Sequence, residues 1–385
     1  MKKLIAILLA LGILVGMVGL MGGCAKKEAD ATTAAPATAG GKEEPATTAA
    51  PATDAPATAE NEQAPVKTEA PVETEAPTEE KDLKLALVVA GNFGDRSFYD
   101  SSKAGVETLA NDGKVEASYI ECNNENHTAQ MKNAADNADI VVCVGWEFYD
   151  IETVAPEYPD VKFIWIDNAT SAPVANVLNI TYAQNEGSFL AGYAAAAMSK
   201  SGVVGAVGGE DSDTINDFIV GYEQGAMYYG DQNGKMIRVI HNYTNSYDDP
   251  TIGKNCAISL NDEGADVVFQ IASAAGDGVF EAAEEKGFYA IGVDSDQKYI
   301  NDAVIIASMK KEVGNSIIAA VEKYLSGDEG LFGTTWIAGL AEGYVGLGFG
   351  DEGATQQIPD DVKAELEELA AKIKAGDIPV STTRG

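Results

Sequence analysis

From Leu83 onward, short apolar β-branched runs alternate with longer segments of helical spacing. No other feature constrains the fold as strongly. LKLALVVAG, VEASYIEC, ADIVVCVG and KFIWIDN have the composition of buried strands. SFYDSSKAGVETLA and TAQMKNAADN lie between them with helical periodicity, and the stretch around IETVAPEY is helical until Pro156. NVLNITY leads into a long small-residue helix, NEGSFLAGYAAAAMSK. A second series opens at VVGAVGG and runs through TINDFIVGYEQGAMYYG, MIRVIHNY, DPTIGKNCAISLNDEG, ADVVFQIA, DGVFEAAEEKG and FYAIGVDSDQ. AVIIASMK, EVGNSIIAAVEKYLSG, TWIAGLAEGYVGLGF and DDVKAELEELAAKIKAG close the chain. A βαβα order builds parallel sheets with helices on both faces. The two openings also echo each other. VVAGNFGDRSFYDSSKAGVETLA and AVGGEDSDTINDFIVGYEQGAMYY both pass from a strand through Gly and Asp into a helix carrying an aromatic and G-x-E. The expectation is an α/β chain of two similar doubly wound domains. Ligands of such sheets sit beyond the carboxyl ends of the strands, here in a cleft between the domains.

The first 82 residues are a different material. MKK, the apolar LIAILLALGILVGMVGL and MGGC follow the plan of a secretory signal peptide over residues 1–23. The cysteine directly after the small residues, Cys24, resembles the lipidated cysteine of a bacterial lipobox. Residues 24–82 then form a tether of Ala, Thr, Pro and Glu repeats without aromatics, a composition that cannot bury enough surface to fold. Seven of the thirteen prolines fall in it, which favours extended polyproline II and a reach of about 100 Å. The expected location is the extracytoplasmic face of a membrane, held by lipid.

Composition removes other classes. A net charge of −34 argues against binding to nucleic acid. Cys24, Cys122, Cys143 and Cys256 form no CxxC or zinc spacing, and His127 and His241 stand far apart, so neither a metal nor a cofactor is expected. G-x-S-x-G, H-E-x-x-H and P-loop motifs are absent from the sequence. A binding protein is expected rather than an enzyme, and any ATP hydrolysis falls to another chain.

The loops after the strands carry the candidate site. GNFGDRSFYDSSKAG places Asp95, Ser97, Phe98 and Tyr99 where solvent would ordinarily lie, and flat rings there can stack on a flat ligand. GWEFYD adds Trp146, Glu147 and Asp150, and HNYTNSYDDP adds Tyr247 beside Asp248 and Asp249. AGDGVFEAAEEKG sets Gly276 and Gly278 at a helix start, where unpaired N–H groups can meet a ligand oxygen. GVDSDQ offers Asp294 and Asp296 as acceptors for a sugar diol, and ASMKKEVG offers Lys310 and Lys311 as donors. Aromatic faces with acidic acceptors describe a pocket for a neutral, ring-bearing polyol.

These stretches resemble the basic membrane protein family, also called purine nucleoside receptor A-like lipoproteins. GDRSFYDSSKAG, QNEGSFLAGYAAAAMSKSGVVGAVGG, FIVGYEQGA, SYDDPTIGK, AAGDGVFEAAEEKGFYAIGVDSDQ and IIASMKKEVG carry the resemblance, from about Leu83 to Phe349. It implies a type I periplasmic-binding-protein fold and a monomer that hands a nucleoside to the permease and separate ATPase of an ABC importer. It implies base stacking by Phe98 and Tyr247, ribose capture by Asp294, and a ribose contact from Lys311, with Lys310 one step off. It implies an acid after the third strand at the base edge, Glu147 or Asp150. One position departs. The family commonly has S-F-N, and this chain has Ser97-Phe98-Tyr99, which puts the purine preference in question. A sugar or other small-molecule ligand, or a sensor on the same fold, are the alternatives. The expected domains are 83–200 with 304–329, and 201–303 with 330–385, joined by three hinge crossings near Ser201, Ala303 and Gly330.

Overall fold

The structure, a computed structural model, describes residues 83–382. The signal-peptide reading, Cys24 and the tether lie outside the described residues. In chain order the first elements are β1 (Lys84–Val89), α1 (Phe98–Asn111), β2 (Glu116–Glu121), α2 (His127–Asn137), β3 (Ile140–Val144), α3 (Ile151–Val154), β4 (Lys162–Ile166), β5 (Val177–Tyr182) and α4 (Gln184–Met198). The second series is β6 (Val203–Gly208), α5 (Asp213–Asn233), β7 (Arg238–Tyr243), α6 (Pro250–Asp262), β8 (Val267–Ile271), α7 (Asp277–Lys286), β9 (Tyr289–Asp294) and β10 (Ile305–Lys311). Then come α8 (Val313–Leu325), β11 (Thr334–Ala338), β12 (Val345–Gly348) and α9 (Asp360–Lys374).

Two six-stranded sheets result, in spatial order β11-β5-β4-β3-β1-β2 and β12-β10-β9-β8-β6-β7. Every pair is parallel except β10 with β12. The parallel-sheet expectation is thus corrected at one edge. The central strands β1, β3 and β8 bury nearly every residue, as sheets covered on both faces require. This is a type I periplasmic-binding-protein fold.

The expected domain borders need correction at all three crossings. The sequence places residues 184–198 in the first half with β5, but α4 lies on the second. Its Gly187 sits against Met309 of β10, and Gly192 meets the Tyr222 carbonyl of α5. Gly221 and Gly225 of α5 lie in turn against the backbone of Asn185 and Phe189. The small-residue composition of α4 serves this close helix pairing. The expected borders put residues 304–311 in the first half, but β10 pairs with β9 of the second sheet. They put residues 334–338 in the second half, but β11 pairs with β5 of the first. The chain therefore crosses after Tyr182, after Lys311 and after Ala338. An apolar run looks the same in either sheet, so periodicity could not place these strands.

Between the second and third crossings, α8 returns to the first half and packs on α1. Gly105 and Gly314 make the contact, and a Cβ on Gly105 would lie 2.4 Å from the Gly314 carbonyl oxygen.

Candidate functional site

The carboxyl ends of both sheets face one cavity of about 270 Å³. The first half contributes Phe98 and Tyr99 from the start of α1, Gly145, Trp146 and Glu147 after β3, and Asp167 and Asn168 after β4. The second half contributes Ser212 to Ile215 and Phe218 at the start of α5, Tyr247 after β7, Ser273 after β8, Asp294 at the end of β9 and Lys311 at the end of β10.

Three strand-end residues of this wall hold left-handed backbone: Asp167 (φ 68°), Ser273 (φ 50°) and Asp294 (φ 61°). Non-glycine residues rarely adopt this conformation, and where they do the surrounding structure must hold them.

Lys311 is 1% exposed. Its Nζ donates to Asp167 Oδ2 at 2.5 Å and lies 5.1 Å from the ring centroid of Phe98, 4.8 Å from that of Tyr182 and 5.3 Å from that of Phe218. A carboxylate and three π faces compensate its lost hydration. Burial pushes Asp167 above the usual carboxylate range, with Lys311 pulling the other way. Asp294 accepts from Ser97 Oγ at 2.5 Å. Burial raises its pKa to about 6 against the opposing pull of Lys311 and Ser97. Glu147, also through burial, reaches about 7. Near neutral pH Asp294 is thus mostly ionised, and Glu147 is divided between acid and carboxylate.

Of the expected residues, Phe98, Tyr99, Trp146, Glu147, Tyr247, Asp294 and Lys311 line the cavity together. Ser97 stands just behind it through Asp294. Lys310 points to the other side of β10 and pairs with Glu312. Asp296 also turns away, accepting from the Gly350 and Lys298 N–H groups.

Four further candidates, Asp95, Asp150, Gly276 and Gly278, are not in the wall. Asp95 accepts from the N–H groups of Ser97, Tyr99 and Asp100 and from Ser273 Oγ, so it builds the turn. Asp150 accepts from Thr128 Oγ1 at 2.5 Å and faces His127, which fixes the start of α2. Gly276 is packed under Gln270, where a Cβ would lie 1.8 Å from its Oε1. Gly278 similarly admits the Pro250 carbonyl. Gly276 thus serves packing against Gln270 of β8, and Gly278 the α6–α7 contact.

A substrate-binding family model, described as ABC transporter substrate-binding protein PnrA-like, matches residues 83–383. The chain belongs to this PnrA-like family. Among curated relatives, Basic membrane protein A of Borreliella afzelii is 32% identical over 296 residues, covering 75% of this chain and 89% of the relative. Basic membrane protein A of Borreliella burgdorferi is 31% identical over 307 residues, covering 78% and 88%. The solute-binding protein of an ABC transporter system from Aeropyrum pernix K1 superposes with a TM-score of 0.72 at 26% identity, covering 79% of this chain and 94% of that structure.

Within this PnrA-like chain, sequence reasoning missed Asp167 and the α5 start. KFIWIDN carries an acid, Asp167, directly after a strand, much as GVDSD does at its strand end, and that parallel is visible in the sequence. EDSDTINDF carries the echo of the first helix start, and its Ser212, Asp213 and Phe218 line the cavity. Among the described residues, no group of His, Cys, Asp and Glu is placed to hold a metal, and no helix is long and apolar enough to cross a membrane.

Proposed function

We propose that this protein captures a nucleoside, in the first place a purine nucleoside, between its two halves and delivers it to an ABC importer as an extracytoplasmic lipoprotein. One observation carries the reading. Rings from opposite halves, Phe98 and Tyr247, share a cavity with the buried Asp294 and Lys311. The rings suit a flat base, and the carboxylate and ammonium suit a ribose diol. Asp294 accepts the hydroxyl hydrogens, and Lys311, held by Asp167, donates to a sugar oxygen.

Closure of the halves on the ligand is the transport step proposed here. Four contacts join residues 95–97 of the first half to the second: Arg96 with Asp277, Asp95 with Ser273, Ser97 with Asp294, and the Arg96 carbonyl with Gln297. They act as a clasp for the closed form.

Calorimetric titration of the ligand-stripped full chain with purine and pyrimidine nucleosides, free bases and pentoses tests the reading. Saturable binding of nucleosides without comparable binding of bases or pentoses is expected. Binding of a hexose with no response to any nucleoside would overturn it.

A further inference from the structure

Among the described residues, Glu147, Asp167, Asp213 and Asp294 bring carboxyl groups to the cavity wall, and Lys311 brings its one cation. Lys311 is committed to Asp167 and to three ring faces, so those two charges offset each other. Asp294 and Asp213 remain without a cation of their own, and Glu147 adds its ionised share. Glu210, after β6, is close enough to raise both Glu147 and Tyr247. Arg96 pairs with Asp277, and neither lines the cavity. The wall therefore carries net negative charge.

The acids are spread along the cavity. Asp294 and Lys311 are buried, whereas Trp146 and Asp213 are the exposed members of the wall. These two come from opposite halves and mark the side that meets solvent. Asp213 opens α5, a helix of 21 residues, and Ser212 before it makes no side-chain cap. The first N–H groups of a helix lack intrahelical partners, and with the helix dipole they make a ready site for phosphate. Ser212, Asp213, Thr214 and Ile215 all line the cavity, so this end of α5 faces any ligand there. Asp213 is the acid of its first turn. A carboxylate in that place uses the favourable field for the chain's own charge and repels a second anion brought beside it.

We infer that Asp213 sets the charge of the ligand: it bars phosphorylated nucleosides from a helix end that would otherwise accept them, so that the free nucleoside alone is captured. The inference deepens the nucleoside reading above and rests on it. A phosphate monoester brings about −1.5 to −2 charges near pH 7. Toward the buried side it meets Asp294, and toward solvent it meets Asp213, with Lys311 already engaged. Nucleotides outside the cell must therefore first undergo phosphomonoester hydrolysis. Water attacks phosphorus, the P–O bond to the ribose oxygen breaks, and orthophosphate and the nucleoside hydroxyl result.

The test is calorimetry of the full chain with inosine and inosine 5′-monophosphate at pH 7.5, for wild type, Asp213→Asn and Asp211→Asn. Asp211 is an exposed acid of the same loop that accepts from Asn216 and does not line the cavity. Wild type should bind inosine at least about a hundredfold tighter than the monophosphate, as close like charges disfavour the wrong partner. Asp213→Asn keeps the shape and removes the charge, and should narrow that ratio to about tenfold or less by tightening the monophosphate. Asp211→Asn should leave the ratio within about threefold of wild type, because solvent and salt screen a charge outside the cavity. Wild-type binding of the monophosphate within about threefold of inosine would overturn the assignment and leave the nucleoside reading intact. So would an unchanged ratio in Asp213→Asn, or an equal narrowing in Asp211→Asn. Binding of neither ligand by wild type would overturn both.

Discussion

Lys311 and Asp167 form the most deeply buried ion pair of the cavity, with side chains 2% and 13% exposed. Removing one partner of such a pair leaves the other charge stranded. Lys311→Met is expected to cost about 3–5 kcal/mol in urea unfolding. Adding Asp167→Asn should recover part of that loss, and the double-mutant cycle measures the coupling. Glu147 poses the opposite case. Burial lifts its folded pKa to about 7 from the ordinary 4.5, so the folded state holds the proton more tightly than the unfolded chain. Its protonation favours folding below pH 4.5, and this contribution is lost as pH rises through about 7. Glu147→Gln should therefore raise ligand-free stability at pH 8, by roughly 1–3 kcal/mol, and flatten the stability profile between pH 5 and 7. Individual residues were legible to different degrees. Phe98, Tyr247 and Asp294 follow from aromatics and acids in strand-end loops. Asp150 and Gly276 carried the same local signals and serve packing, because a loop's sequence does not say which way its side chains turn.

At the level of elements, the pairing of α4 with α5 has the least tolerance. A Cβ on Gly225 would lie 1.8 Å from the Phe189 carbonyl oxygen, and one on Gly221 2.2 Å from that of Asn185. Both obstacles are helix backbone and cannot rotate away. Gly225→Val should destabilise by about 1–3 kcal/mol or more, the usual cost of overpacking, read from the thermal midpoint. Nearly every strand and helix was visible as periodicity, since buried β-branched runs and amphipathic stretches leave a pattern in the chain. Partnership between elements left none. That α4 leaves its own strand to pack on the other half, and that β10 and β11 sit in opposite sheets, depends on contacts made far along the sequence.

For the whole molecule, two sheets, three crossings and one shared cavity make closure the property to examine. The residue 95–97 clasp joins the halves without any ligand atom. Arg96→Ala removes the pairing with Asp277 and touches no residue of the cavity wall. In small-angle scattering the ligand-free variant should be more expanded than wild type. Its nucleoside affinity should fall about threefold to thirtyfold, because a smaller closed population taxes binding. The overall fold class was readable from alternation and from the echo between the two series, whereas the clasp was not, since its partners lie far apart along the chain. The most direct measurement is calorimetric titration of inosine into the full chain carrying Asp294→Asn, a substitution that keeps a residue tolerant of left-handed backbone at φ 61°. Affinity lower by about tenfold or more than wild type, with an unchanged thermal midpoint, is the predicted result for a carboxylate that holds the ribose. Undiminished inosine binding would contradict the account.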